Sequence, residues 1–190
     1  MKKSRLFIPF IPVVLSCDAG KDPNIAADWT ENANIEVSAS STDADRIQRI
    51  KTWYEQAVKA EKNPVNQFNG SAVETDRGEN FVQKVNRALF ESGFEILTAE
   101  FSGWEWDETV KFYFKDDELF FVYISGAEVS SRYQYRIYYS SDGNVIRLLH
   151  KEGADGEMSE NKEVTGKQRA EVINIVDQDL AKARKILRTH

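Results

Sequence analysis

The sequence predicts an α+β fold: two N-terminal helices, an antiparallel meander of four to five aromatic-rich strands, and a long C-terminal helix. Three observations carry it. Apolar residues recur at spacings of three and four in three separate segments, as amphipathic helices require. From Phe94 to His150 the period changes to two, and 14 of the chain's 22 aromatic residues fall between Phe94 and Tyr139. The connections between these alternating runs are too short for helical crossovers, so the strands must be antiparallel. At 190 residues the chain suits one domain and is short for two.

The first helix is expected from Asp43 to Lys62, with Ile47, Ile50, Trp53, Tyr54, Ala57 and Val58 on one face. Thr42 or Asp43 can cap it, and Asn63-Pro64 stops it. A loop through Asn69-Gly70-Ser71 then leads to a second helix, Glu79 to Ser92, striped by Phe81, Val82, Val85, Ala88 and Leu89. Gly93 suits its left-handed C-cap.

In the strand region Val110, Phe112 and Phe114 alternate with Lys111, Tyr113 and Lys115. Leu119 to Ile124 is apolar on both faces and reads as a central strand covered on both sides. Tyr133, Tyr135, Ile137 and Tyr139 alternate with Arg132, Gln134, Arg136 and Tyr138, and Val145 to Leu149 completes the run. Asp142-Gly143 is the stronger signal for a two-residue type I′ turn, and Asp116-Asp117-Glu118 the weaker. Lys151 to Glu163 is acidic and reads as an exposed loop. Thr165-Gly166-Lys167-Gln168 resembles a capping box opening the last helix, whose stripe is Val172, Ile175, Val176, Leu180, Ala183 and Leu187. Lys182, Arg184, Lys185 and Arg188 cluster in its final turns, either as a solvated helix end or as a patch for an acidic partner. The helices are expected to pack on one face of the meander.

The N-terminus carries an address. Lys2, Lys3 and Arg5 precede Leu6 to Leu15, ten residues that are apolar apart from Pro9 and Pro12. A basic start followed by a short apolar run is the layout of a secretory signal. As a helix it would span only ~15 Å, half the hydrocarbon core, which is too short for a lasting anchor. Val14-Leu15-Ser16-Cys17 resembles the lipobox of bacterial lipoproteins. The resemblance implies cleavage before Cys17, acylation of its thiol and new amino group, and membrane attachment through that lipid. It divides the chain into a removed signal (1–16), a lipid-anchored tether (17–41) and one globular domain (42–190). Loss of Lys2, Lys3 and Arg5 leaves 22 basic residues against 31 acidic, a formal charge of −9. Anionic headgroups repel such a surface, so the lipid would hold the protein while its body stays in water. The polar tether favours the outer membrane, with periplasmic and surface faces both open.

The formal charge of −6 on the whole chain argues against nucleic acid as a partner. A single cysteine excludes an internal disulfide or a thiolate zinc cluster. There is no Gly-x-Ser-x-Gly elbow or His-Glu-x-x-His pair, and His150 and His190 are the only histidines. Neither a metal nor a cofactor is expected, and the glycine-bearing loop Glu152 to Glu157 lacks the ligand alternation of an EF-hand. The one composition suggestive of a ligand is Trp104 and Trp106 among Glu100, Glu105, Asp107 and Glu108. On a strand the two tryptophans would share a face, either as core or as a sugar-stacking platform flanked by Glu105 and Asp107. The expectation is a lipid-anchored envelope protein acting as a non-enzymatic binding or interaction module, with a glycan or an envelope protein as partner. Its competitors are a carboxylate-dependent glycan hydrolase and a structural subunit of an envelope complex.

Overall fold

Alternation of inward and outward side chains builds most of this protein. The computed structural model describes residues 41–76, 79–154 and 157–189; the expected signal, Cys17 and the expected tether up to residue 40 lie outside them. The order is α1 (Ser41–Ala60), β1 (Asn66–Asp76), β2 (Glu79–Leu89), β3 (Phe94–Ser102), β4 (Trp106–Lys115), β5 (Glu118–Glu128), β6 (Ser131–Tyr139), β7 (Val145–Ala154), the two-residue β8 (Glu157–Met158) and β9 (Lys162–Glu163), and α2 (Gly166–Arg188). The strands form one antiparallel nine-stranded sheet in sequence order from β1 to β8, with β9 also pairing β7. The α+β class and both long terminal helices are present. Among the described residues no helix is long and apolar enough to cross a membrane.

The strand count exceeds the expected four to five because the predicted second helix is β2 and the predicted loop at Asn69-Gly70-Ser71 is the middle of β1. Phe81 and Val85, four apart, satisfy a helical stripe and a strand face equally. The residue that would have shown the alternation is Gln83, wholly buried between them on the same face but polar. Main-chain bonds to β1 and β3 decide the matter, and no local pattern contains them. The acidic stretch expected to be a loop extends β7 to Ala154 and contributes β8 and β9.

The helices do not share a face. Ile47, Ile50, Tyr54 and Ala57 of α1 pack on Ala88, Phe94, Ile96, Tyr113, Phe121 and Tyr138. Val172, Val176, Ala183 and Ile186 of α2 pack on the opposite face against Val85, Leu97, Val110, Phe112, Ile137 and Leu148. Two layers are needed because the central strands are apolar on both sides, as Leu119 to Ile124 of β5 promised. A bulge contributes: Tyr113 pairs with Phe121 and Phe114 with Leu119, so Phe120 is the extra residue. Phe120 and Phe121 thereby both face α1. Tyr54 meets Tyr113 and Phe121 edge-on, each at 5.1 Å, a geometry that adds to simple burial.

Both helices are tied at their ends. Arg46 bonds Glu118 and donates to the Tyr139 carbonyl at 3.2 Å, and beyond the C-terminal end of α1 Glu61 pairs with Lys111 at 2.7 Å. Lys182 of α2 pairs with Glu74 at 2.7 Å, and Arg184 lies over the Phe114 ring, so half of the basic cluster is engaged within the fold. The capping box does not form. Thr165 is the N-cap residue without a side-chain bond, and Gln168 is hydrogen-bonded to Tyr135 instead.

Candidate functional site

The tryptophan segment turns before it can act as a strand. Gly103 N–H donates to the Trp106 carbonyl at 2.9 Å, closing the β3–β4 hairpin, and β4 begins only at Trp106. Trp104 therefore stands at the tip, 93% exposed, while Trp106 packs on Phe81 with ring centres 5.8 Å apart. The two rings do not form the shared face expected of a strand. Glu105 and Asp107 are both exposed. Asp107 and Trp106 are consecutive on β4 and point to opposite faces of the sheet.

Glu108, on the same face as Trp106, has a more defined setting. It accepts a hydrogen bond from the Tyr133 hydroxyl at 2.7 Å. Register places Gly126 between them, opposite both Glu108 and Tyr133. A Cβ at position 126 would run into the Tyr133 ring, so glycine lets that ring lie across β5 and reach β4. Burial, then the neighbouring Glu108 carboxylate, raises the Tyr133 hydroxyl far above its ordinary range. It is a hydrogen-bond donor and not a base. On the same face His150 stacks on Tyr135 at 4.5 Å, and burial lowers its pKa, with Lys162 adding to the effect.

The concave feature lies elsewhere, on the α1 side of the sheet. α1 covers only the end of that face nearest Phe94, Phe120 and Tyr138. Past the Glu61–Lys111 pair the face turns polar, and an open depression of about 660 Å³ lies across β1, β2 and β3. Cross-strand register sets its lining in two rows: Asn69, Asn86 and Thr98, then Ser71, Lys84 and Glu100. Gly70 and Val85 complete the lining. The Asn86 side-chain amide donates to Asn69 Oδ1 at 2.6 Å, which orients both amides. Farther along this face Arg136 is buried and donates to Asn161 Oδ1 at 2.7 Å. Amides, hydroxyls, one ammonium and one carboxylate can recognise a polar ligand by hydrogen bonding.

Sequence reasoning missed these residues because it assigned Asn69 to Ser71 to a loop and Lys84 to Asn86 to a helix. The usable signal was Lys84-Val85-Asn86, polar on both sides of a buried valine, which is the alternation of a strand with one wet face. Among the described residues no three histidines, cysteines or carboxylates converge as metal ligands would. No family model, curated protein or solved structure matches this chain at a significant level.

Proposed function

We propose that this protein is a lipid-anchored, non-enzymatic binding module of the bacterial envelope that takes a polar ligand on the exposed half of its α1-facing sheet surface. The carrying observation is the depression itself: paired rows of oriented amides, hydroxyls, Lys84 and Glu100 on a rigid antiparallel sheet. Sites built on strands hold their donors and acceptors more precisely than loops do. The anchoring half of the reading rests on Val14-Leu15-Ser16-Cys17 and the polar tether behind it. The membrane is then reached through the lipid on Cys17, with the outer membrane as its home. Glycans, rich in hydroxyls, and extended segments of envelope proteins both fit the lining chemistry.

Two measurements test this. Cys17→Ser should leave an unprocessed precursor that no longer takes up a palmitate analogue; unchanged labelling removes the anchor. Protease shaving of intact cells then separates surface from periplasmic display. For the ligand, full-length protein in detergent is screened against envelope polysaccharides and peptides. Joint replacement of Lys84 and Glu100 by alanine should weaken binding at least about tenfold, the worth of one or two hydrogen bonds. Binding indifferent to these changes would sink the assignment.

The glycan hydrolase reading has one observation on its side, the fully presented Trp104 ring beside Glu105. It requires turnover of a polysaccharide that Glu105→Gln or Asp107→Asn abolishes. The structural-subunit reading draws on Trp104 and on Val129, 74% exposed, at neighbouring hairpin tips.

A further inference from the structure

We propose that Lys51 of α1 and Arg147 of β7 form a binding site for an oxyanion of the phosphate class, at the seam where the middle of α1 meets the sheet. A bulge in β7 builds the seam. Tyr138 pairs with Arg147 and Tyr139 with Val145, so Ile146 is the extra residue. Tyr138 faces α1, and its partner Arg147 shares that face. Ile146 packs against the same core, which includes Ile50 and Tyr54 of α1. Lys51 follows Ile50 on the helix, and both Lys51 and Arg147 are half-buried. The seam lies at β6 and β7, whereas the depression lies across β1 to β3, so this site does not rest on the ligand reading.

Positive charge collects at this seam without an acid to balance it. Burial, then the neighbouring Arg147 guanidinium, lowers the Lys51 pKa, and no carboxylate opposes the two effects. Arg136 and Arg147 both act on the buried Tyr138 hydroxyl, against the upward shift that burial gives it. Among the described residues neither Lys51 nor Arg147 forms an ion pair, and Arg147 Nε is buried without a hydrogen-bond partner. The whole chain has 31 acidic residues against 25 basic ones, so a basic pair lacking an acid does not follow from composition. Two half-buried cations side by side repel each other and have given up part of their water. An anion held by both relieves the repulsion and replaces the lost solvation. The guanidinium offers a planar fork of donors that includes Nε, and the ammonium adds a point charge. A carboxylate would fill the fork alone, whereas a tetrahedral phosphate keeps further oxygens for Lys51. The group can arrive as a free anion or as a phospholipid headgroup.

Titration of the full chain in nonionic detergent with inorganic phosphate tests it, with sodium chloride at matched ionic strength as the reference. Phosphate should raise the thermal unfolding temperature saturably, as a ligand of the native state does, and chloride should not. Arg147→Gln and Lys51→Gln should each weaken phosphate binding about tenfold or more, the worth of a charge-assisted hydrogen bond. Arg147→Lys, which keeps the charge and loses the fork, should fall between them and the unsubstituted protein. Lys84→Ala, in the depression, should leave phosphate binding unchanged. The Arg147 Nε–H resonance of the unsubstituted protein should shift as phosphate is added, a readout that needs no variant to fold. A soluble short-chain phosphatidylglycerol is titrated alongside: tighter binding than phosphate assigns the site to a headgroup, weaker binding to a free anion. A response no larger than that to chloride, an unmoved Nε–H resonance, or binding that survives both glutamine substitutions would overturn the proposal.

Discussion

At the scale of single residues, the buried polar groups are the most informative. Gln83 is wholly buried with both side-chain amide atoms lacking a partner among the described residues, and the Tyr139 hydroxyl is likewise buried and unpaired among them. A buried group that has given up water without gaining a bond costs about 1–3 kcal/mol. Gln83→Met and Tyr139→Phe, which keep most of the volume, should therefore each raise the urea midpoint, by about 1 kcal/mol or more of stability. A lower midpoint would show that these atoms are satisfied after all. His150 supplies a pH signature. Its folded pKa lies below 6.5, first because of burial and second because of Lys162, with Glu152 opposing. The unfolded chain then binds more protons than the native state as pH drops below 6.5, so the His150 contribution to stability is complete above that value and declines beneath it. His150→Gln should flatten the stability profile in that window while leaving neutral pH nearly unchanged. Neither Gln83 nor the His150 stack was legible in the sequence, since burial depends on partners from distant strands.

At the scale of elements, the turns exchange the roles expected of them. Asp116 and Asp117 both have positive φ, 50° and 67°, and join Lys115 to Glu118 as the two-residue type I′ turn. Asp142-Gly143 sits instead in a three-residue loop closed by Ser140 N–H to Asn144 C=O, with only Gly143 left-handed at φ 81°. The carboxylate of Asp142 is held below its ordinary range first by the Ser140 hydroxyl, then by Asn144, so it acts as a cap within the loop. The dipeptide signal was correct about a turn and wrong about its type, because the β7 bulge at Ile146 shifts the register beside it. A non-glycine residue in the left-handed region costs about 1–2 kcal/mol, less for aspartate. Asp117→Gly should accordingly stabilise the protein by about 0.5–1 kcal/mol and Gly143→Ala destabilise it by about 1 kcal/mol. Thermal unfolding of the two variants in parallel checks both signs.

At the scale of the whole molecule, the sheet divides the interior into two hydrophobic cores, one under each helix. Ile50 of α1 and Ile186 of α2 belong to different cores. Each Ile→Ala substitution should cost about 2–4 kcal/mol, and the double variant should equal the sum within about 0.5 kcal/mol. Coupling well beyond that would mean the layers communicate through the sheet. The tyrosines add an alkaline limit. Burial raises Tyr135 and Tyr138 from 10.0 to about 12 in the native state. Between pH 10 and 12 the unfolded chain loses protons that the folded one keeps, so their contribution is intact below 10 and falls away as pH rises to 12. Tyrosinate absorbance should then appear together with loss of the circular dichroism signal, and ionisation well before unfolding would contradict the buried placement.

The two terminal helices, β4 to β7 and the turns at Asp116-Asp117 and near Asp142-Gly143 follow from local pattern, because period and turn chemistry are properties of a few neighbouring residues. The lipobox-like motif at Cys17 is likewise a linear pattern, and it lies outside the described residues. Tertiary structure alone decided that residues 79–89 are a strand, that α1 and α2 lie on opposite faces, and that Trp104 and Trp106 part company at a hairpin. It also assembled the depression, whose lining comes from three strands spread over more than thirty residues. A spacing of four is compatible with both a helix stripe and a strand face. The choice falls to main-chain hydrogen bonds with segments far along the chain, and those bonds have no local trace.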